Sequence, residues 1–476
     1  MLFNSLEFLL FFPVVTLLYF LLPHRFRWLH LLLASCLFYA AFIPAYLSIL
    51  FLTIVIDYYA GIWIASSSGA RRRWFLSASI IANVGVLAIF KYYNFGIQNI
   101  NALMAFAGAD TRLPLWDIIL PIGLSFHTFQ AMSYTIEVYR GNQAPEKHFG
   151  IYALYVMFYP QLVAGPIERP QNILHQFYEK HHFDPDLFLS GIRLMAWGLF
   201  KKVVVADRLA VYANAVFDQP DEYHWLNLAI GTIAFGIQIY GDFSGYSDMA
   251  IGAARTMGYR LMVNFNRPYQ ALNIHEFWSR WHISLSSWFR DYLYIPLGGN
   301  RLGPAIQLRN SVIVFLVSGL WHGAAWTFMV WGALHALYII IYNLYKKILP
   351  PFPSHAAGRF SAWLINFLAV MLAWIYFRAE SMEKANAMVK NIIFLNNEHA
   401  FKTVVSVNQQ MEFGPVSAGI SILMCIVMFA AERKLEPMLL SLDKQKTRDI
   451  LFLAALLLCI MLAGVFSSSS FIYFQF

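Results

Sequence analysis

From Leu6 to Pro23 the chain reads LEFLLFFPVVTLLYFLLP, and similar apolar runs return along its whole length, separated by short polar connections. A helix needs about 20 such residues to cross the hydrocarbon, and by that length about 11–13 candidate segments can be marked, several interrupted by Pro or Gly. The pattern predicts an all-α polytopic membrane protein forming a single membrane domain over 1–476. Its parts are four plain N-terminal spans in 1–95, a core over 115–345 and C-terminal spans over 360–476. The fourth span is expected to end at FKYYNF, whose aromatics suit a membrane interface. A polar loop is expected near 380–412, and a charged connection, AERKLEPMLLSLDKQKTRD, between the last two spans. No sustained internal repeat is visible, which counts against a transporter built from repeated halves.

The core differs from the plain spans in carrying polar residues inside apolar stretches. WDIILPIGLSFHTFQAMSYTIEVYR should face other helices rather than lipid. YPQLVAGPIERPQNI breaks helix twice, which is tolerated only in protein or beside a cavity, so Glu168 and Arg169 are cavity candidates. DFSGYSDMAIG places Asp242 and Asp248 about 240° apart on a helix, too far round to act as a carboxylate pair unless Gly245 supplies a turn. Asp248 is expected to pair with Arg255 or Arg267 before any catalytic role.

WSRWHISLSSWFRDYLYIPLGGNR reads as one helix over 273–294. Trp278, Trp281, Leu285, Trp288, Phe289 and Tyr292 fall within about a 100° arc. Glu276, Arg280, Ser284, Ser287, Arg290 and Asp291 take much of the other side. That describes a helix along an interface or against the bundle, tryptophans at headgroup level, with a re-entrant turn at YIPLGGNR. His282 lies on the flank of the stripe near Ser286 and Phe289; an interfacial histidine bonded to a neighbour is its plainest reading. His322 stands in FLVSGLWHGAAWTFMVW, in an apolar helix with no full charge from Val312 to Tyr345. An ionisable group at membrane depth is costly and points to function, and a neutral buried imidazole can serve as a general base. A packing histidine bonded to a backbone carbonyl is the alternative. Gly319 and Gly323 beside it would let a helix or ligand come close. His335 faces about 220° away on that helix and is read as structural.

Composition narrows the class. Only 13% of residues are charged, against about 25% in soluble domains. The first run has no basic stretch before it and no small-residue cleavage site after it, so it is read as a retained span. The net charge of +8 sits in short loops, including Arg25, Arg27 and Arg71 to Arg73, while the loop around Pro44 is uncharged. The positive-inside rule then places the first and third loops in the cytoplasm and the N-terminus outside, with no need of nucleic acid. Cys36, Cys425 and Cys459 lie far apart in apolar runs and suggest neither disulfide nor zinc. GxSxG, HExxH, Walker A and GxGxxG signatures are missing, and none of His127, His275, His282, His322 and His335 has the aspartate five positions on that an HxxxxD box needs.

Taken together, FKYYNF, PIGLSFHTFQAMSY, AGPIERP, DFSGYSDMAIG, NFNRPY, EFWSRWHISLSSWFRDYLYIPLGGNR and GLWHGAAWTFMVWGALH resemble the membrane-bound O-acyltransferase superfamily, in particular its bacterial polysaccharide branch. The match runs to about Ala379. The resemblance implies a ring of helices around a tunnel, with interfacial or re-entrant helices at the site. It implies His322 as the general base and His282, where many members carry Asn or Asp, as the second signature position. Trp281, Ser286, Arg290, Asp291, Trp321, Asp248 and Glu168 become substrate or tunnel candidates. It also implies an acetyl thioester donor, acetyl-CoA first, with no bound cofactor or metal, and periplasmic acetyltransferase subunits as partners in a bacterial inner membrane. The expected activity is O-acetylation of an exported polysaccharide, alginate-type foremost. Cellulose or peptidoglycan acetylation, or D-alanyl transfer from a carrier protein to teichoic acid, are the alternatives; a transporter or flippase is the alternative from another class.

Overall fold

The computed structural model describes residues 1–118, 120–163, 165–348, 350, 355–395, 415–434, 446–466 and 471–472. These are helical, without strands. Among them six helices are long and apolar enough to cross a membrane: Tyr46–Ser66, Gly69–Phe106, Pro304–His322, Trp326–Ile348, Ala356–Arg378 and Val416–Arg433. Leu6–Leu21 and Ile450–Ala463 are shorter apolar helices. The chain gathers into two compact units, residues 1–195 with 249–262, and residues 196–248 with 263–476.

In the first unit, apolar faces alone do not hold helix to helix, because lipid offers the same contacts; polar clamps do. Asp57 of Tyr46–Ser66 is fully enclosed and accepts hydrogen bonds from Ser79 Oγ (2.6 Å) and Asn83 Nδ2 (2.8 Å) of the next helix. The polar run expected to avoid lipid does so: nearly every residue of Leu124–Val138 is buried, and so is the whole of Gly150–Leu162. YPQLVAGPIERPQNI breaks helix as expected, with Tyr159–Leu162 and Pro170–Ile173 as separate single turns.

The helix of the fourth span does not end at FKYYNF. A π-turn at Ala88–Tyr92 carries the helix on to Phe106, since no Pro or paired Gly stops it before Gly108. The polar connection then folds back along this extension. Asn94 exchanges hydrogen bonds with the Trp116 backbone and Asn101 with that of Leu113, while Trp116 stacks on Tyr93 at 4.1 Å.

In the second unit, the single helix expected over 273–294 is two seven-residue helices, Ile274–Arg280 and Ile283–Phe289, followed by a π-turn at Arg290–Tyr294. Its tryptophans pack against protein side chains. Trp281 and Trp288 are buried, Trp281 against Phe265, Phe277 and Trp374. The apolar stretch from Val312 to Tyr345 is likewise not one helix. It breaks after His322, where Gly323 is extended, and returns as Trp326–Ile348.

The close approach expected at Gly319 and Gly323 is made by that returning helix. A Cβ on Gly319 would collide with the Phe328 carbonyl, one on Gly323 with the Phe328 ring, and one on Gly332 with the Phe315 carbonyl. The polar loop near 380–412 is described only to Leu395, where Met382–Ile393 is helical. Its remainder, and residues 435–445 of the charged connection, lie outside the described residues.

Candidate active site

Two imidazoles come together around one indole in the second unit. His322 ends the helix Pro304–His322, and its ring lies 4.9 Å from Trp321, 5.0 Å from Trp331 and 5.2 Å from Phe377. His282 lies 6.3 Å from the same Trp321 ring. Both histidines and Trp321 are buried. The helical break after His322 also brings His335 back into the neighbourhood, because it belongs to the returning helix. Trp331 stands between the two, 4.9 Å from His335. The angular reasoning that set His335 apart assumed an unbroken helix and does not apply.

His282 owes its position to a segment eighteen residues earlier. Its backbone takes the left-handed conformation (φ 43°, ψ 55°), which interrupts the helix. Asn264 holds that break. Its carbonyl accepts the Ile283 N–H at 2.8 Å, and its Oδ1 accepts the Ser284 N–H at 3.2 Å and the Ser284 hydroxyl at 2.9 Å. Its Nδ2 donates to Ser247 Oγ at 3.1 Å. A backbone N–H can only donate, so the Asn264 atom facing it is oxygen. That oxygen also meets His282 Nδ1 at 3.1 Å. Nδ1 therefore carries the proton, and in the neutral ring Nε2 keeps its lone pair.

Burial among Phe243 (4.7 Å), Phe265 and Trp321 disfavours the charged form and pushes the imidazole down to about 3. His282 is thus a neutral acceptor at Nε2. Phe243 and Ser247 come from DFSGYSDMAIG, and Asn264 and Phe265 from NFNRPY. These separate sequence motifs meet at one ring.

The other candidates divide. Trp281 packs beside Tyr240, Tyr269 and Trp374, and its carbonyl accepts from Ser286 Oγ at 3.2 Å. Arg290 and Asp291 pair with each other at 2.8 Å, with the arginine side chain mostly exposed. Glu168 belongs to the first unit, fully buried, where its carboxylate accepts from Met262 N and from Asn172 Nδ2. It lines a cavity of about 960 Å³ with His175, His181 and Arg260 among others. Burial raises its carboxyl to about 7.

Asp248, expected beside Arg255 or Arg267, is found in an ion pair with a lysine. It meets Lys201 at 2.5 Å, while Arg255 reaches Ser190 and Arg267 its neighbour Asn266. The cause is a second π-turn, Phe200–Ala206. Its extra residue brings two adjacent lysines against the helix Trp225–Thr256, which runs unbroken through Gly245. Lys202 contacts Asp242 at 2.9 Å and Asp207 at 2.8 Å. The signal for this pairing in the sequence is two cations in an apolar run, Lys201 and Lys202, matched by two aspartates six residues apart.

Comparison with known proteins follows the same residues. The membrane-bound O-acyltransferase family model matches residues 143–383. A probable alginate O-acetylase of Azotobacter vinelandii is 41% identical over 81% of this chain and 76% of its own length. The corresponding protein of Pseudomonas aeruginosa is 40% identical over 81% and 73%. A peptidoglycan O-acetyltransferase of Helicobacter pylori is 37% identical over 83% and 80%.

Proposed function

The chain belongs to the membrane-bound O-acyltransferase family, and from that premise we propose that this multi-pass enzyme moves an acetyl group from a cytoplasmic thioester for O-acetylation of an exported polysaccharide, alginate-type first. The observation that carries the reading is the pair of buried imidazoles gathered at Trp321, one of them with its tautomer set by Asn264.

In this mechanism His322 removes the proton of the acceptor hydroxyl as that oxygen attacks the thioester carbonyl carbon. The C–S bond breaks and the new ester C–O bond remains. The proton on His322 passes to the departing thiolate, so one hydroxyl and one thioester become one ester and one thiol. His282 Nε2 can only accept, which suits it to hold a second hydroxyl or an amide N–H of a bound substrate. The surrounding aromatics exclude water, which would otherwise hydrolyse the thioester.

Acetyl-CoA is the donor in this reading, and periplasmic acetyltransferase subunits complete delivery to the polymer. The protein sits in the bacterial cytoplasmic membrane with its N-terminus outside, as the basic first and third loops support. The similarity to the Helicobacter pylori protein supports peptidoglycan as a second acceptor. The deciding assay uses reconstituted protein with labelled acetyl-CoA and either acceptor system. Label on an alginate-type polymer is expected. Label on peptidoglycan alone would replace the acceptor, and transfer only from a charged carrier protein would replace the donor.

A further inference from the structure

A groove of about 940 Å³ runs along the second unit between the helices Trp225–Thr256, Ala356–Arg378 and Pro415–Lys434. Its long wall is apolar at helical spacing. Ile230, Ile233 and Ile237 line it from one helix, and Ile422, Ile426 and Phe429 from another. From Ile422 to Arg433 the wall spans about 16 Å along the helix axis. Among the described residues its charged lining residues are two arginines, Arg359 and Arg433, both exposed, with no carboxylate. Glu432, the nearest acid in sequence, is turned inward, where it accepts from the Tyr240 hydroxyl at 2.7 Å.

Both arginines belong to the same side of the membrane. Arg359 lies in the first turn of a span that leaves the membrane at Arg378. Arg433 lies in the last turn of the span Val416–Arg433, and the two arginines line the same groove, so the start of one span and the end of the other lie together.

An apolar trough the length of a half-bilayer, closed at its water-facing end by two cations, matches one ligand chemistry. It fits a phospholipid with an anionic headgroup, chains along the isoleucines and phosphate between the arginines. We propose that Arg359, Arg433 and this groove form a specific binding site for such a lipid, separate from the histidine site.

The test uses the purified full-length protein in neutral detergent. Bound lipid is read by native mass spectrometry, and occupancy by the alkylation rate of Cys425, which lines the groove, with Cys36 as the internal control. Phosphatidylglycerol is expected to be retained and to slow alkylation of Cys425 but not of Cys36. Phosphatidylcholine and inorganic phosphate should do neither. Arg359→Gln with Arg433→Gln should weaken phosphatidylglycerol about thirtyfold, about fivefold for each basic residue. Ile426→Trp, which fills the trough and leaves the arginines, should also release the lipid. Equal retention of phosphatidylcholine, the same shielding by phosphate alone, or undiminished phosphatidylglycerol binding in the folded double variant or in Ile426→Trp would each overturn the site.

Discussion

Asn264 governs the chemistry of His282 more than any residue beside it in sequence. It supplies the acceptor for Nδ1 and ties down the backbone immediately after the break, at Ile283 and Ser284. Outer-shell partners of this kind typically cost about 10–100-fold when removed. Asn264→Ala is accordingly expected to lower kcat for acetyl transfer by about that factor while the KM for the donor changes little; an unchanged kcat would dismiss the positioning role. The same ring gives a pH effect. An imidazole held neutral to about pH 3 when folded and titrating near 6.5 when unfolded contributes stability that is whole above pH 6.5 and falls as pH drops below it. The melting temperature should therefore decline on acidification from pH 7 to 5, and His282→Asn should make that slope shallower.

At the scale of elements, two departures from regular helix place the polar groups. The π-turn Phe200–Ala206 sets Lys202 between Asp207 and Asp242, all buried. Lys202→Met takes the cation away from two buried carboxylates and should destabilise the protein by about 3–5 kcal/mol, measured by denaturation in detergent; replacing both aspartates as well should recover much of the loss. The hairpin turn depends on Gly323, whose absent side chain makes room for the Phe328 ring. Gly323→Ala should cost about 1–3 kcal/mol through overpacking. Of these features, the sequence made legible the polar, lipid-avoiding segments and the need for close approach at Gly319 and Gly323. It did not reveal the break at His282, because the aromatic periodicity runs on through Trp281 and Trp288 with neither Pro nor Gly between them. That break is imposed by Asn264 from eighteen residues away, a tertiary effect that local pattern does not carry. The π-turns left no mark either, since an inserted helical residue has no side-chain signature.

At the scale of the whole molecule, hydropathy and motif content identified the membrane class and the family, which the relatives establish independently. The topology proposal makes a separate prediction. Ala70 is exposed beside Arg71 to Arg73, and Ala70→Cys should resist a membrane-impermeant thiol reagent added to intact cells and react after the inner membrane is opened; labelling in intact spheroplasts would reverse the orientation. Relatives named for alginate and for peptidoglycan are similar over nearly the same share of this chain.

The central claim is that His322 is the base for acyl transfer, and one comparison tests it most directly. Wild type and His322→Ala, matched for expression and reconstituted with the periplasmic partner, are given labelled acetyl-CoA, and the label reaching the acceptor is counted over time. A proton-transfer role contributes about 10²–10⁴-fold, so transfer by His322→Ala should fall by at least a hundredfold with the protein still folded. Transfer at the wild-type rate would contradict the account.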